Sequence, residues 1–190
     1  MYFFQSSPVS YKRFIKRFPT ENSLIKLYAK TCVDFDIESK PKKRRCPHCG
    51  SCQNGPFRKN NEKLRLCKRC GRTFSIFRNS IFDKSKADFR IWMYIGYCMF
   101  YYHHVYFSVD KISRIQIIRE THAPSNATIY HLYDVLYKLF KSQNEVDILL
   151  IFNIFLPFMK IFHNMNPYRK KIILYNPLFN SGLFLLRAIK

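Results

Sequence analysis

Four cysteines in two tight pairs carry the clearest chemistry in this chain: Cys46-Pro47-His48-Cys49-Gly50 and Cys67-Lys68-Arg69-Cys70-Gly71, with seventeen residues between the pairs. Two Cys-x-x-Cys pairs at such an interval form a zinc pattern. Two intervening residues let one turn aim both sulfurs at one ion, and the glycine that follows accepts the backbone conformation that completes the turn. Cys46, Cys49, Cys67 and Cys70 are therefore the expected ligands of one Zn2+. Four thiolates close a tetrahedron and leave no open position, which makes the site structural and not catalytic. The binding energy, on the order of 10 kcal/mol, would fold a hairpin too small to fold alone. Redox thiols are the competing reading. Cys52 extends the first pair to a Cys-x2-Cys-x2-Cys run, but an iron–sulfur run would want a cysteine where Pro56 stands. His48 lies inside the first turn and points poorly for a ligand. Cys32 and Cys98 read as small buried apolar residues.

The cysteines sit in the most basic part of the chain. Residues 40–72 hold twelve Lys and Arg against Glu62 alone. Between the pairs, Phe57 and Arg58 read as an outgoing strand and Leu64, Arg65 and Leu66 as a returning one, with Leu64 and Leu66 on a greasy face and Arg65 on a basic one. Residues 72–77 alternate again as a third strand. Such a ribbon would neutralise phosphates, and the candidate contacts are Lys42, Lys43, Arg44, Arg45, Arg58, Lys63, Arg65, Lys68, Arg69 and Arg72. The run from Lys40 to Arg45 would serve as a nuclear address or as a phosphate-contacting arm.

Flanking segments must hold this ribbon. Leu24, Ile25, Leu27 and Tyr28 suggest a short helix beginning near Thr20. From residue 86 the pattern turns helical, with Ile91, Trp92, Ile95, Met99 and Tyr102 forming one apolar stripe. A second short helix runs over 113–121, and a break at His122-Ala123-Pro124 follows. A third helix opens with Ser125 as its cap and carries the stripe Ile129, Leu132, Tyr133, Leu136, Leu139 and Phe140. Short helix, break and longer helix is the helix-turn-helix order. In it the first residues of the second helix reach base edges, here Asn126, Thr128, Tyr130 and His131. A plain three-helix packing unit fits the same pattern. His103 and His104 are expected near a helix end, with no third ligand beside them.

Composition bounds these readings. The 190 residues carry a net charge of +21, with 47% hydrophobic and 17% aromatic residues, too apolar for a disordered chain. The charge points to a polyanion, and duplex DNA is the expected partner. Residues 91–109, 148–159 and 172–186 lack charge, but the first holds two histidines and five tyrosines and the others are short and contain proline. They are expected to be buried segments and not membrane spans. The amino terminus shows no secretory signal, so the cysteines are expected in a reducing compartment. The expected location is the nucleus of a eukaryote, or otherwise the cytoplasm or nucleoid.

The knuckle Cys46-Pro47-His48-Cys49-Gly50, the basic ribbon and the run Cys67-Lys68-Arg69-Cys70-Gly71-Arg72-Thr73-Phe74-Ser75 together resemble the amino-terminal zinc ribbon of Merlin-type insertion-sequence transposases. Phe77-Arg78-Asn79-Ser80-Ile81-Phe82, Trp92, Gln116 to Thr121 and Ser125 to Ile129 are similar to the stretch that follows it in the family. The resemblance covers residues 42–142. It implies a ribbon and a helix-turn-helix that bind transposon ends, alongside an intact transposase or as an oligomer. Two departures stand out. His122 occupies a turn position that is usually glycine, in a turn that reads one residue longer. The family's catalytic domain uses three acids on divalent metal, whereas this chain offers only Glu145 and Asp147 after residue 142 and none in residues 148–190. Transposase catalysis is not expected.

The expected fold is α+β and built from small modules: an N-terminal helical extension (1–40), a zinc ribbon (41–82), a helix-turn-helix (83–142) and an apolar basic tail (143–190). The expected function is zinc-dependent DNA binding without catalysis. The alternatives are a zinc-ribbon module that binds RNA or a large assembly in transcription or translation, and a nuclease or transposase completed in trans.

Overall fold

The structure, a computed structural model, describes residues 7–31, 33–34, 42–43, 45–58, 61–78, 80–106, 108–110, 112–122, 125–142, 151, 154–155 and 157–162. The chain is α+β. Helices α1 (Tyr11–Arg17) and α2 (Glu21–Thr31) lead into a short antiparallel pair, β1 (Val33–Asp34) with β2 (Lys42–Lys43). An antiparallel three-stranded sheet follows, β3 (Asn54–Arg58), β4 (Asn61–Cys67) and β5 (Thr73–Ser75), in spatial order β3-β4-β5. Three helices complete the regular elements: α3 (Phe89–Tyr106), α4 (Arg114–Thr121) and α5 (Asn126–Lys141).

The helix starts follow local chemistry. Ser10 caps α1, its hydroxyl accepting from the Arg13 N–H at 3.4 Å. Thr20 does the same for α2, accepting from Ser23 N–H at 3.3 Å, while the Ser23 hydroxyl donates back to the Thr20 carbonyl at 2.6 Å. The serine hydroxyl thus bonds the cap carbonyl, whereas the acid of a capping box would accept from the cap N–H. At α3, the Asp88 carboxylate accepts from Arg90 N–H at 2.8 Å, and Glu21 reaches across from α2 to accept from Phe89 N–H at 3.0 Å. Both acids lie where the helix dipole favours negative charge.

Helix α3 is the centre of the main core. It was expected to present one apolar stripe, but Ile91 through Tyr101 are all buried, so neighbours cover it on every side. Phe14 of α1 is fully buried among Phe18, Tyr94, Tyr97, Phe158 and Phe162. A second aromatic nest, formed by Tyr28, Phe77, Phe82, Phe89 and Trp92, joins α2 and the segment after β5 to the start of α3. Residues 151, 154–155 and 157–162 have helical backbone, and Ile151, Ile154, Phe155, Phe158 and Met159 are buried in the same core. Gly96 admits the Phe155 ring: a Cβ placed there would lie 2.1 Å from Phe155 Cζ.

The apolar face of α5 is formed by Ile129, Leu132, Tyr133, Leu136, Leu139 and Phe140, the stripe expected from its period. Among the described residues no helix is long and apolar enough to cross a membrane. Cys98 is buried as expected, and burial pushes its thiol pKa up, leaving it inert. Cys32, Lys40, Pro41, Arg44, the turn residues 123–124, residues 143–150 and residues 163–190 lie outside the described residues.

Candidate metal centre and flanking basic surface

The two Cys-x-x-Cys segments fold into matching turns. In the first, Cys46 N–H donates to the Ser51 carbonyl at 2.8 Å and Gly50 N–H donates to the Cys46 carbonyl at 2.8 Å. In the second, Cys67 N–H donates to the Arg72 carbonyl at 3.0 Å and Gly71 N–H donates to the Cys67 carbonyl at 2.9 Å. Gly50 and Gly71 both stand in the left-handed region, at φ +68° and +69°, where a side chain would be strained. The glycine after each pair thus has the role its position implied.

These turns bring four sulfurs together. The Sγ atoms of Cys46, Cys49, Cys67 and Cys70 all lie within 4.8 Å of one another. Cys46 and Cys70 sulfurs are 3.7 Å apart, and Cys49 and Cys67 sulfurs 3.6 Å. A metal–sulfur bond of about 2.3 Å sets tetrahedral S···S edges of about 3.8 Å. The donor set therefore fits one metal ion held by four thiolates. Phe74 of β5 is buried against the cysteines and forms a small separate core with them. His48 and Cys52 stand outside the ligand cluster.

The second turn already favours a thiolate. Backbone N–H groups of Cys70 and Arg69 stabilise the charged Cys67 sulfur, outweigh its burial and lower its pKa to about 6. The Ser51 N–H acts the same way on Cys49, but burial and the neighbouring thiols prevail and raise its pKa to about 11.

The basic residues around this centre divide into two groups. Lys68 and Arg69, inside the second turn, and Arg72, just after it, are exposed and have no carboxylate partner among the described residues. Arg58 is also exposed, its guanidinium 5.5 Å from the Phe57 ring centroid. Lys63 and Arg65 are committed within the fold. Lys63 Nζ lies 3.0 Å from Glu21 of α2. Arg65 pairs with Glu62 at 3.5 Å and donates to Asn54 Oδ1 at 3.3 Å. The greasy face expected on β4 is also revised: Leu64 is exposed, whereas Glu62 is buried. Helix α2 packs on β4, and Asn22 Oδ1 accepts from Glu62 N–H at 3.1 Å, so a neighbouring helix overrides the simple alternation. Lys42 and Lys43 form β2, and Arg45 is exposed beside the first cysteine.

Helix α5 packs on α3, and α4 packs on α5. His122 ends α4 in the left-handed region, φ 46° and ψ 42°, the conformation for which glycine is the usual choice. Ser125 occupies the cap position of α5, but its side chain makes no capping hydrogen bond. Asn126, Tyr130 and His131 are exposed and Thr128 is half-buried, so the first two turns of α5 offer an accessible polar face. Arg114, not singled out from the sequence, holds that face. Its guanidinium bonds Asp134 at 2.7 Å and lies 4.8 Å and 5.7 Å from the Tyr133 and Tyr130 rings. Glu120 is a second residue the sequence did not single out, accepting from the Tyr94 hydroxyl and from Tyr11 N–H, so that α4 is tied to α3 and α1. Cation–π and carboxylate pairing across elements have no signature at short sequence spacing, and this hid both residues. His103 faces the Phe140 ring near the end of α3, as its expected helix-end position implied.

No protein-family model, curated protein or solved structure matches this chain.

Proposed function

We propose that this chain is a zinc-dependent DNA-binding protein without catalytic activity of its own. The observation that carries the reading is the four-sulfur cluster flanked by Lys68, Arg69 and Arg72, which have no carboxylate partner among the described residues. Zinc suits a closed four-thiolate tetrahedron, and it would hold the ribbon while supplying no reactive position. The exposed cations beside it, in a chain of net charge +21, would take phosphates. The accessible face of α5, with Asn126 and Tyr130 in its first turns, would enter the major groove, with α4 behind it in a helix-turn-helix. The ribbon motif and the helix order support descent from the amino-terminal part of a Merlin-type transposase. The scarcity of carboxylates after residue 142 supports a role in binding DNA and not in cutting it.

Selection of bound duplexes from a random pool tests this reading. Unaltered protein should enrich a defined sequence, and Asn126→Ala should relax base preference more than it weakens total affinity. A good bidentate contact contributes about 1–3 kcal/mol of discrimination. An unaltered selection profile would reject the groove-reading helix, and equal or better retention of structured RNA would favour an RNA-binding ribbon.

A further inference from the structure

The free end of the ribbon, opposite the cysteine turns, carries a feature that metal binding and the helices leave unexplained. The β3–β4 ladder runs in register from Asn54↔Cys67 to Pro56↔Arg65 and then shifts, resuming at Arg58↔Asn61. Between those last two pairs, Phe57 alone on β3 stands against Glu62, Lys63 and Leu64 on β4. A bulge of this kind re-aims side chains out of the ordinary pleat. Here it leaves Phe57 41% exposed and Leu64 36% exposed, while the other phenylalanines among those described are buried or half-buried. The cations of this end are unequally engaged. Lys63 is held by Glu21, but Arg58 has no carboxylate partner among the described residues and rests over the Phe57 ring.

We infer that Phe57 and Arg58 form a stacking platform for an unstacked nucleobase, so that the ribbon tip recognises nucleic acid whose bases are unpaired or splayed. This deepens the DNA-binding reading and rests on it. An exposed aromatic ring offers a π-face that any base can cover, and stacking of this kind tolerates sequence. The guanidinium over the ring, 5.5 Å from its centroid, supplies a positive charge for the phosphate of a stacked nucleotide. An apolar protein partner would gain from Leu64 and Phe57 but would bury Arg58 without a counter-charge, which is costly. Charge complementarity therefore favours a polyanion. β3 is an edge strand, so its tip can approach a groove or a melted segment without displacing a neighbouring strand.

The test compares one duplex, the same duplex with a central unpaired bubble, and the corresponding single strand. Unaltered protein, Phe57→Ala and Phe57→Trp are each titrated, with metal content and melting temperature as controls for folding. The bubble and the single strand should bind more tightly than the closed duplex. Phe57→Ala should lose about tenfold on both while changing little on the duplex. Phe57→Trp should keep the preference, and its indole emission should be quenched as bases stack. Equal losses on all three substrates, or no loss on any, would overturn the platform while leaving DNA binding intact. A chain whose self-association is abolished by Phe57→Ala, with unchanged nucleic-acid binding, would show a protein contact instead and overturn it too. Failure of the unaltered protein to bind any of the three would bring down the DNA reading, and the platform with it.

Discussion

Single residues decide which of the many cations are available to a partner. Arg69 and Lys68 project from the metal turn with no carboxylate beside them among the described residues, whereas Arg65 is held by Glu62 and Asn54. The two kinds should behave differently on substitution. Arg69→Ala together with Arg72→Ala should leave stability nearly unchanged and reduce the salt dependence of duplex binding, the slope falling by about 0.9 for each phosphate that is no longer neutralised. Arg65→Ala should instead lower stability, because the buried Glu62 carboxylate would lose its partner, at a cost of about 1–3 kcal/mol. Binding titrated across salt concentrations, beside denaturant unfolding, separates these outcomes. An unchanged slope in the Arg69–Arg72 double variant would dispose of the phosphate grip. The clustered cysteines were legible in the sequence because their chemistry is written at short spacing, two residues apart and followed by glycine. Which cations are engaged was less legible, because Lys63 meets Glu21 of α2 only through tertiary packing.

At the scale of elements, α5 and α3 show the two limits of reading a period. The α5 stripe appears in the structure residue for residue, since only one of its faces is covered. Helix α3 exceeded its stripe because α1, α2, α5 and the residues around Phe155 enclose it from several sides. Full enclosure erases the polar face that would mark a period. The notch at Gly96 is the sharpest case, because its meaning appears only when Phe155, far along the chain, is packed into it. Gly96→Ala should destabilise the protein by about 1–3 kcal/mol through overpacking. Adding Phe155→Leu should recover part of that loss by thinning the ring. Denaturant midpoints of the single and double variants check this, and a Gly96→Ala protein as stable as the parent would contradict the packing. On β4 the alternation marks which residues share a face but not how far along that face α2 packs, so Glu62 is buried while Leu64 on the same face is exposed.

The whole molecule joins a small sheet bearing the four-cysteine cluster to a large aromatic core. Glu21 links the two, binding Lys63 on the ribbon and the first amide of α3 from one carboxylate. Among the described residues the ribbon's own core is Phe74 with the four cysteines, so an ion held by those sulfurs is expected to supply most of its order. The helices share an extensive core that does not include the four clustered cysteines. This asymmetry predicts that metal removal acts locally: the ribbon should lose structure while the helices persist.

The most direct test counts metal in the purified chain and follows duplex binding as a chelator strips it. One zinc per chain is expected, removed together with tight duplex binding and restored by added zinc, with helical content largely retained throughout. A chain that is metal-free as purified, with an ordered ribbon and unchanged affinity for DNA, would contradict it.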